Sequence, residues 1–242
     1  MFSVVDRERV RDRVLALADA DERVVAGAVV GSLAEGPGDR WSDLDLTFAV
    51  ADGVDVTDVL VDWTRTLAGE LGAVHLFDLG RDASIYRVFL LPGCLQLDLS
   101  FTPAAAFGAA TPRFRLLFGA AVERPHVQPP DPHELFGYAA HHALRARFCL
   151  ERGRYWQAAY WVNGVRDYAL SLACRTRGLP ANEGRGFDDL PSDVHDRFAG
   201  AIATSLERDE LLRALRSAVD GLLHEAGELG AKAEPELRAL TS

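Results

Sequence analysis

Asp43 and Asp45 stand two residues apart in Ser42-Asp43-Leu44-Asp45-Leu46, a segment that alternates polar and apolar side chains. In an extended chain such spacing puts both carboxylates on one face and Leu44 and Leu46 on the other. Two adjacent like charges repel unless something positive lies between them. A divalent cation meets that need, and hard oxygen ligands suit magnesium, which takes one or two carboxylates together with substrate phosphates. Gly31 and Ser32 lie upstream. A glycine lets backbone approach a ligand closely, and a serine with neighbouring amides can donate to phosphate oxygens. The stretch reads as a phosphate cradle followed by a metal pair.

The elements that must hold these residues are legible around them. The run Val24-Val25-Ala26-Gly27-Ala28-Val29-Val30 is apolar and β-branched, and Leu44, Leu46, Phe48 and Val50 alternate. Both patterns predict strands. Gly36, Pro37 and Gly38 mark the loop between them.

Gly31-Ser32, ten intervening residues and then Asp43-Leu44-Asp45-Leu46 resemble the signature of the DNA polymerase β-like nucleotidyltransferase superfamily. That signature ends with a third carboxylate on a later strand. Leu95-Gln96-Leu97-Asp98-Leu99-Ser100-Phe101 alternates strictly and offers Asp98. The resemblance implies transfer of a nucleoside monophosphate from a nucleoside triphosphate to a hydroxyl, releasing pyrophosphate, with two Mg2+ ions clamping the α-phosphate. Asp43 and Asp45 would bind both ions. Asp98 would complete the metal site and is the first choice of general base. Gly31 and Ser32 would hold the triphosphate, with Arg40 and Ser42 as further phosphate contacts. ATP is the default donor, because no base-reading motif is present. Asp39 reads as a turn residue and Glu35 as loop surface.

The 242 residues suit one large or two small domains, and 48% are apolar, enough for a core. The formal charge of −10 argues against a general nucleic-acid binder, which would show a basic footprint. No apolar run approaches the ~20 residues of a membrane span, and the charged N-terminus lacks a signal-peptide core. A cytoplasmic protein is expected. Cys94, Cys149 and Cys174 are far apart; they suggest small buried side chains and no zinc site or disulfide framework.

Along the chain, Asp6 can cap a helix running to about Ala20, and Thr57 one ended by Gly72. Val74 to Leu79 reads as a strand. Residues 85–91 and 94–101 read as a hairpin around Pro92-Gly93, followed by a small Ala-rich helix and a short strand at Phe114 to Phe118. An α-β-β-α-β-β order gives a mixed sheet with helices on one face. Pro125, Pro129, Pro130 and Pro132 form a stiff spacer. The helical remainder predicts helices from about Pro132 to Arg152, from Arg154 to Arg177, from Pro191, and from Glu207, where Thr204 to Glu207 has capping-box spacing. The end of the chain from Gly230 is expected to fray. The fold expectation is α+β: a mixed-sheet nucleotidyltransferase domain (1–124), a linker at about 125–131, and an all-helical bundle (132–242).

The segment Tyr155 to Tyr168 is similar to the acceptor-side helical domain of antibiotic nucleotidyltransferases, such as those acting on kanamycin or lincosamides. Trp156, Tyr160, Asn163 and Asp167 share one helical stripe. An aromatic stripe ordinarily packs into a core, but Asn163 and Asp167 each need a polar partner. The resemblance makes Tyr160, Asn163 and Asp167 candidates to line an acceptor pocket. Glu151 is a second candidate base from the helical domain, or a salt-bridging residue. The adjacent His141 and His142 read as packing or surface residues.

The reading is an enzyme that nucleotidylates a small hydroxyl compound, aminoglycoside- or lincosamide-like and resistance-related, as a monomer or homodimer. Nucleotidylation of a protein or RNA, as in toxin–antitoxin relatives, is the alternative enzyme. A non-catalytic nucleotide-binding protein is the alternative outside enzymes.

Overall fold

The computed structural model describes residues 1–81 and 83–242, without the side chain of Arg81. The chain forms two compact units, residues 1–127 and 128–242, and is α+β as expected.

The first unit opens with α1 (Val4–Ala20). Its cap is Ser3, not Asp6. The Ser3 hydroxyl accepts the Asp6 amide, and the Asp6 carboxylate accepts the Ser3 amide at 2.9 Å, a complete capping box. Arg7, Val10, Val14 and Ala18 form the buried stripe of α1. Next come β1 (Val24–Val30), the single turn α2 (Ser32–Glu35) and β2 (Leu44–Val50). Helix α3 (Val56–Leu71) is capped by Asp55, whose carboxylate accepts the Thr57 amide; Thr57 is thus the second helical residue, not the cap. Gly72 ends α3 in the left-handed conformation.

Strands β3 (Val74–Arg81), β4 (Ser84–Leu91), β5 (Leu95–Pro103) and β6 (Phe114–Phe118) complete a sheet of order β3-β4-β5-β2-β1-β6. The β2–β5 pair is parallel and its neighbours are antiparallel, so the sheet is mixed. The expected Ala-rich helix is only the 3-10 turn Ala104–Ala106.

Alternation decides the two faces of the sheet. Leu44, Leu46, Phe48, Leu97, Leu99 and Phe101 share a buried core with α1 and α3. There Trp63 of α3 sits edge-on to Phe101 at a ring separation of 5.0 Å. The opposite face carries Asp45, Thr47 and Ala49 from β2 and Asp98 and Ser100 from β5. At its β1 side, Ala26, Ala28 and Ala49 are covered by Phe107.

The second unit contains α4 (Pro132–Glu151), α5 (Tyr155–Thr176), α6 (Ser192–Ala199), α7 (Arg208–Ala226) and α8 (Glu234–Leu240). Asp131 caps α4. Small side chains, among them Ala139, Ala143, Ala146, Ala158, Ala169 and Ala173, are fully buried between the helices. In the first turn of α7, Glu210 rather than the preceding Glu207 accepts the Thr204 amide and hydroxyl, each at 2.8 Å. The C-terminal segment does not fray. Leu237 is buried, and Arg147 and Arg216 donate to the carbonyls of Leu240 and Thr241. Cys149 and Cys174 are buried, whereas Cys94 is exposed, against expectation. Among the described residues, no helix is long and apolar enough to cross a membrane.

Candidate active site

Asp45 and Asp98 are Cα partners in the parallel β2–β5 register, and Asp43 stands just before β2. All three are partly buried, and each offers a carboxylate oxygen within 4.8 Å of the others. Burial pushes the Asp98 carboxyl up from its ordinary range, and the Asp43 charge adds to this. Hydrogen bonds from Gln96 and with Asp45 oppose the rise. The Gln96 amide donates to both Asp98 oxygens, at 3.1 and 3.2 Å. Gathered carboxylates of this kind can hold a divalent cation, and the donor set is the hard oxygen set that magnesium takes.

Gly31 adjoins this cluster. Its φ is +68°, and a Cβ built there would overlap the Asp45 carboxylate. Only glycine gives both that backbone conformation and that clearance. The Ser32 hydroxyl follows, buried and, among the described residues, without a hydrogen-bond partner. A buried hydroxyl without a partner is costly, and a phosphate oxygen would satisfy it. The Ser100 hydroxyl, one alternation beyond Asp98 on the same face, is also buried and has no hydrogen-bond partner among the described residues. The residues present therefore fit a metal-bound polyphosphate.

The loop from Gly36 to Ser42 is held from two sides. The Asp39 carboxylate accepts the Trp41 amide at 2.8 Å and the Ser42 hydroxyl at 3.1 Å. From α1, the Arg7 guanidinium donates to the carbonyls of Asp39 (2.7 Å), Ser42 (2.8 Å) and Pro37 (3.2 Å). Arg7 is only 4% exposed. It thereby fixes the backbone that delivers Asp43.

The other sequence candidates fall as follows. The Arg40 guanidinium lies over the Trp41 ring, 4.2 Å from its centroid, and Trp41 is exposed. The Ser42 hydroxyl is engaged by Asp39. Glu35 is exposed and pairs with Arg113 at 2.9 Å. In the second unit, Trp156 and Tyr160 are 81% and 65% exposed, so the aromatic stripe is surface, not core. Asn163 and Asp167 are exposed and both accept from Arg166. Glu151 is bridged by Arg147 and Arg208.

The sequence reading missed Arg7, Trp41 and Gln96. Arg7 had a signal: it occupies the buried register of α1, in step with Val10 and Val14. Trp41 had one too, as a lone large aromatic in a Gly/Pro loop beside the acid pair. Gln96 carried none beyond its parity with Asp98.

No protein-family description matches this chain, and no curated protein matches it. Among solved structures it is similar to an aminoglycoside 6-adenyltransferase from Bacillus subtilis. The superposition covers 99% of each chain at a TM-score of 0.42 and 14% sequence identity.

Proposed function

We propose that this protein is a metal-dependent nucleotidyltransferase that moves a nucleoside monophosphate, by default AMP from ATP, onto a hydroxyl of a small molecule. The observation that carries the reading is the carboxylate cluster of Asp43, Asp45 and Asp98 beside Gly31 and the unpartnered Ser32 hydroxyl.

Asp43, Asp45 and Asp98 would hold two magnesium ions. When bound, these supply charge neutralisation and Lewis acidity at the α-phosphate. Ser32 donates to the triphosphate, and Gly31 leaves room for it beside Asp45. Arg40, on the rim, is a further phosphate contact. The acceptor oxygen forms a bond to the α-phosphorus as the bond to the bridging oxygen breaks. Pyrophosphate leaves with that electron pair. Asp98, the carboxylate beside the acceptor, takes the hydroxyl proton.

A cationic, hydroxyl-rich acceptor of the aminoglycoside or lincosamide kind is consistent with the net charge of −10 and with the attached helical unit. That unit offers Tyr160, Asn163, Asp167 and Glu151 as acceptor contacts.

The test is calorimetric titration of a non-hydrolysable ATP analogue with and without Mg2+, followed by an acceptor panel read as pyrophosphate release. Magnesium-dependent binding that disappears in Asp45→Asn supports the reading. Binding of no nucleotide, or binding indifferent to Asp45→Asn, refutes it. Transfer of label from ATP to macromolecules in a lysate would shift the acceptor class to protein or RNA.

A further inference from the structure

On the sheet face opposite Asp45 and Asp98 lies a cavity of about 490 Å³, within the size range of small-molecule sites. Its floor is apolar: Val29 and Leu44, with Leu33 and Ala34 of α2. Its wall, Leu33 to Pro37, follows directly on Gly31 and Ser32 in the chain. Residues of the first unit alone line it.

The charges around this floor do not balance. Arg7, Arg11 and Arg115 face Glu8 and Glu35. Arg11 is paired with Asp12, and Glu35 with Arg113. Arg7 and Arg115 have no carboxylate partner among the described residues; their guanidinium groups donate to main-chain carbonyls. Asp39 feels the Arg7 charge, but its carboxylate bonds Trp41 and Ser42 instead. Arg7 is also buried, and with carbonyls rather than a carboxylate in direct contact its charge is only partly compensated. Among the described residues lining the cavity, Glu8 is the acid that forms no ion pair.

We infer that this cavity is a second ligand site, built for a small amphiphilic anion. Its apolar body lies on Val29, Leu33 and Leu44, and a carboxylate, sulfonate or phosphate group meets Arg11 and Arg115, with the buried Arg7 charge behind them. Its existence does not depend on the proposed transferase activity.

The probe is 1-anilinonaphthalene-8-sulfonate, an apolar bicycle with one anionic group, titrated by fluorescence into the full chain. Saturable binding at a single site is expected. Octanoate displaces the probe and octylamine does not. Arg11→Glu with Arg115→Glu weakens binding by about tenfold or more. Val4→Trp, an exposed rim position, blocks it by filling the mouth. Both variants keep their thermal midpoint, because these side chains are outside the core. Probe binding persists in Asp45→Asn, which separates this site from the carboxylate cluster. Absence of saturable binding overturns the inference. So does equal displacement by octylamine, or affinity unchanged in both variants.

Discussion

Asp45 and Asp98 are direct partners across the parallel β2–β5 pair, and the two side chains interact. Their roles in the proposed chemistry differ, which separates their variants. Asp45→Asn removes a proposed metal ligand and is expected to abolish magnesium-dependent nucleotide binding. Asp98→Asn removes the proposed proton acceptor as well as a proposed ligand. We expect turnover to fall about 10²- to 10⁴-fold with a smaller change in nucleotide affinity than for Asp45→Asn. Steady-state kinetics beside calorimetry read the split; equal loss of affinity in both variants counts against Asp98 as the base.

Gly31 tests the cradle from the backbone side. Gly31→Ala must accept a positive φ and displace the Asp45 carboxylate. A stability loss of about 1–3 kcal/mol is expected, together with loss of metal-dependent nucleotide binding. Gly53 also has positive φ, but nothing lies where its Cβ would go. Gly53→Ala therefore shares the backbone cost and leaves binding intact.

Arg7 acts on the site through the loop. Arg7→Met strands the carbonyls of Pro37, Asp39 and Ser42 and should cost about 2–4 kcal/mol in denaturant unfolding. Arg7→Lys restores charge but not the planar fork that reaches separate acceptors. It is expected to recover only part of the stability and of the nucleotide affinity. Full recovery by lysine would mean that charge, not geometry, is what the loop requires.

Acid should weaken the first unit through Asp21. Its carboxylate accepts from Arg23 at 2.8 and 2.9 Å and from the Trp63 indole at 2.8 Å. The Arg23 hydrogen bonds come first in holding its pKa at about 2, below the ordinary 3.8. A depressed carboxyl stabilises the fold fully above its unfolded pKa, and that stability is lost as pH falls from 3.8 through about 2. The contribution at neutral pH is of order 2 kcal/mol. Asp21→Asn should be less stable than wild type at neutral pH, with the difference closing below pH ~2. A difference independent of pH sinks the assignment.

In the helical unit, Gly164 of α5 faces His142 of α4. A Cβ at Gly164 would overlap the His142 Nδ1. Burial lowers the His142 pKa, with the His141 charge assisting, so the ring is held neutral. Gly→Ala inside a helix ordinarily stabilises by up to about 1 kcal/mol. Gly137→Ala in α4, where nothing lies within 4 Å of the added carbon, should behave that way. Gly164→Ala should instead destabilise by about 1–3 kcal/mol. Thermal unfolding of the two variants side by side decides, and a stabilised Gly164→Ala would refute the close helix contact.

What the sequence determined by itself is local. The alternation of residues 44–50 and 95–101 specified strands and assigned Asp43, Asp45 and Asp98 to polar faces, because side chains on a strand repeat every second residue. Glycine at 31 and the proline-rich stretch before α4 were equally readable. Long-range pairing was not. That β2 lies beside β5 in parallel, placing Asp98 opposite Asp45, is a property of the assembled sheet. The same holds for β6 joining β1 at the edge, and for Arg7 reaching across from α1 to the loop. The aromatic stripe of α5 shows why. Ala158, Val162, Val165 and Ala169 are among its fully buried side chains facing the bundle, offset by two residues from Trp156, Tyr160, Asn163 and Asp167. Two residues turn a helix by about 200°, so burying one stripe exposes the other. Both stripes have helical spacing, and the choice between them belongs to the neighbouring helices, which admit alanine and valine at close approach where tryptophan and tyrosine do not fit.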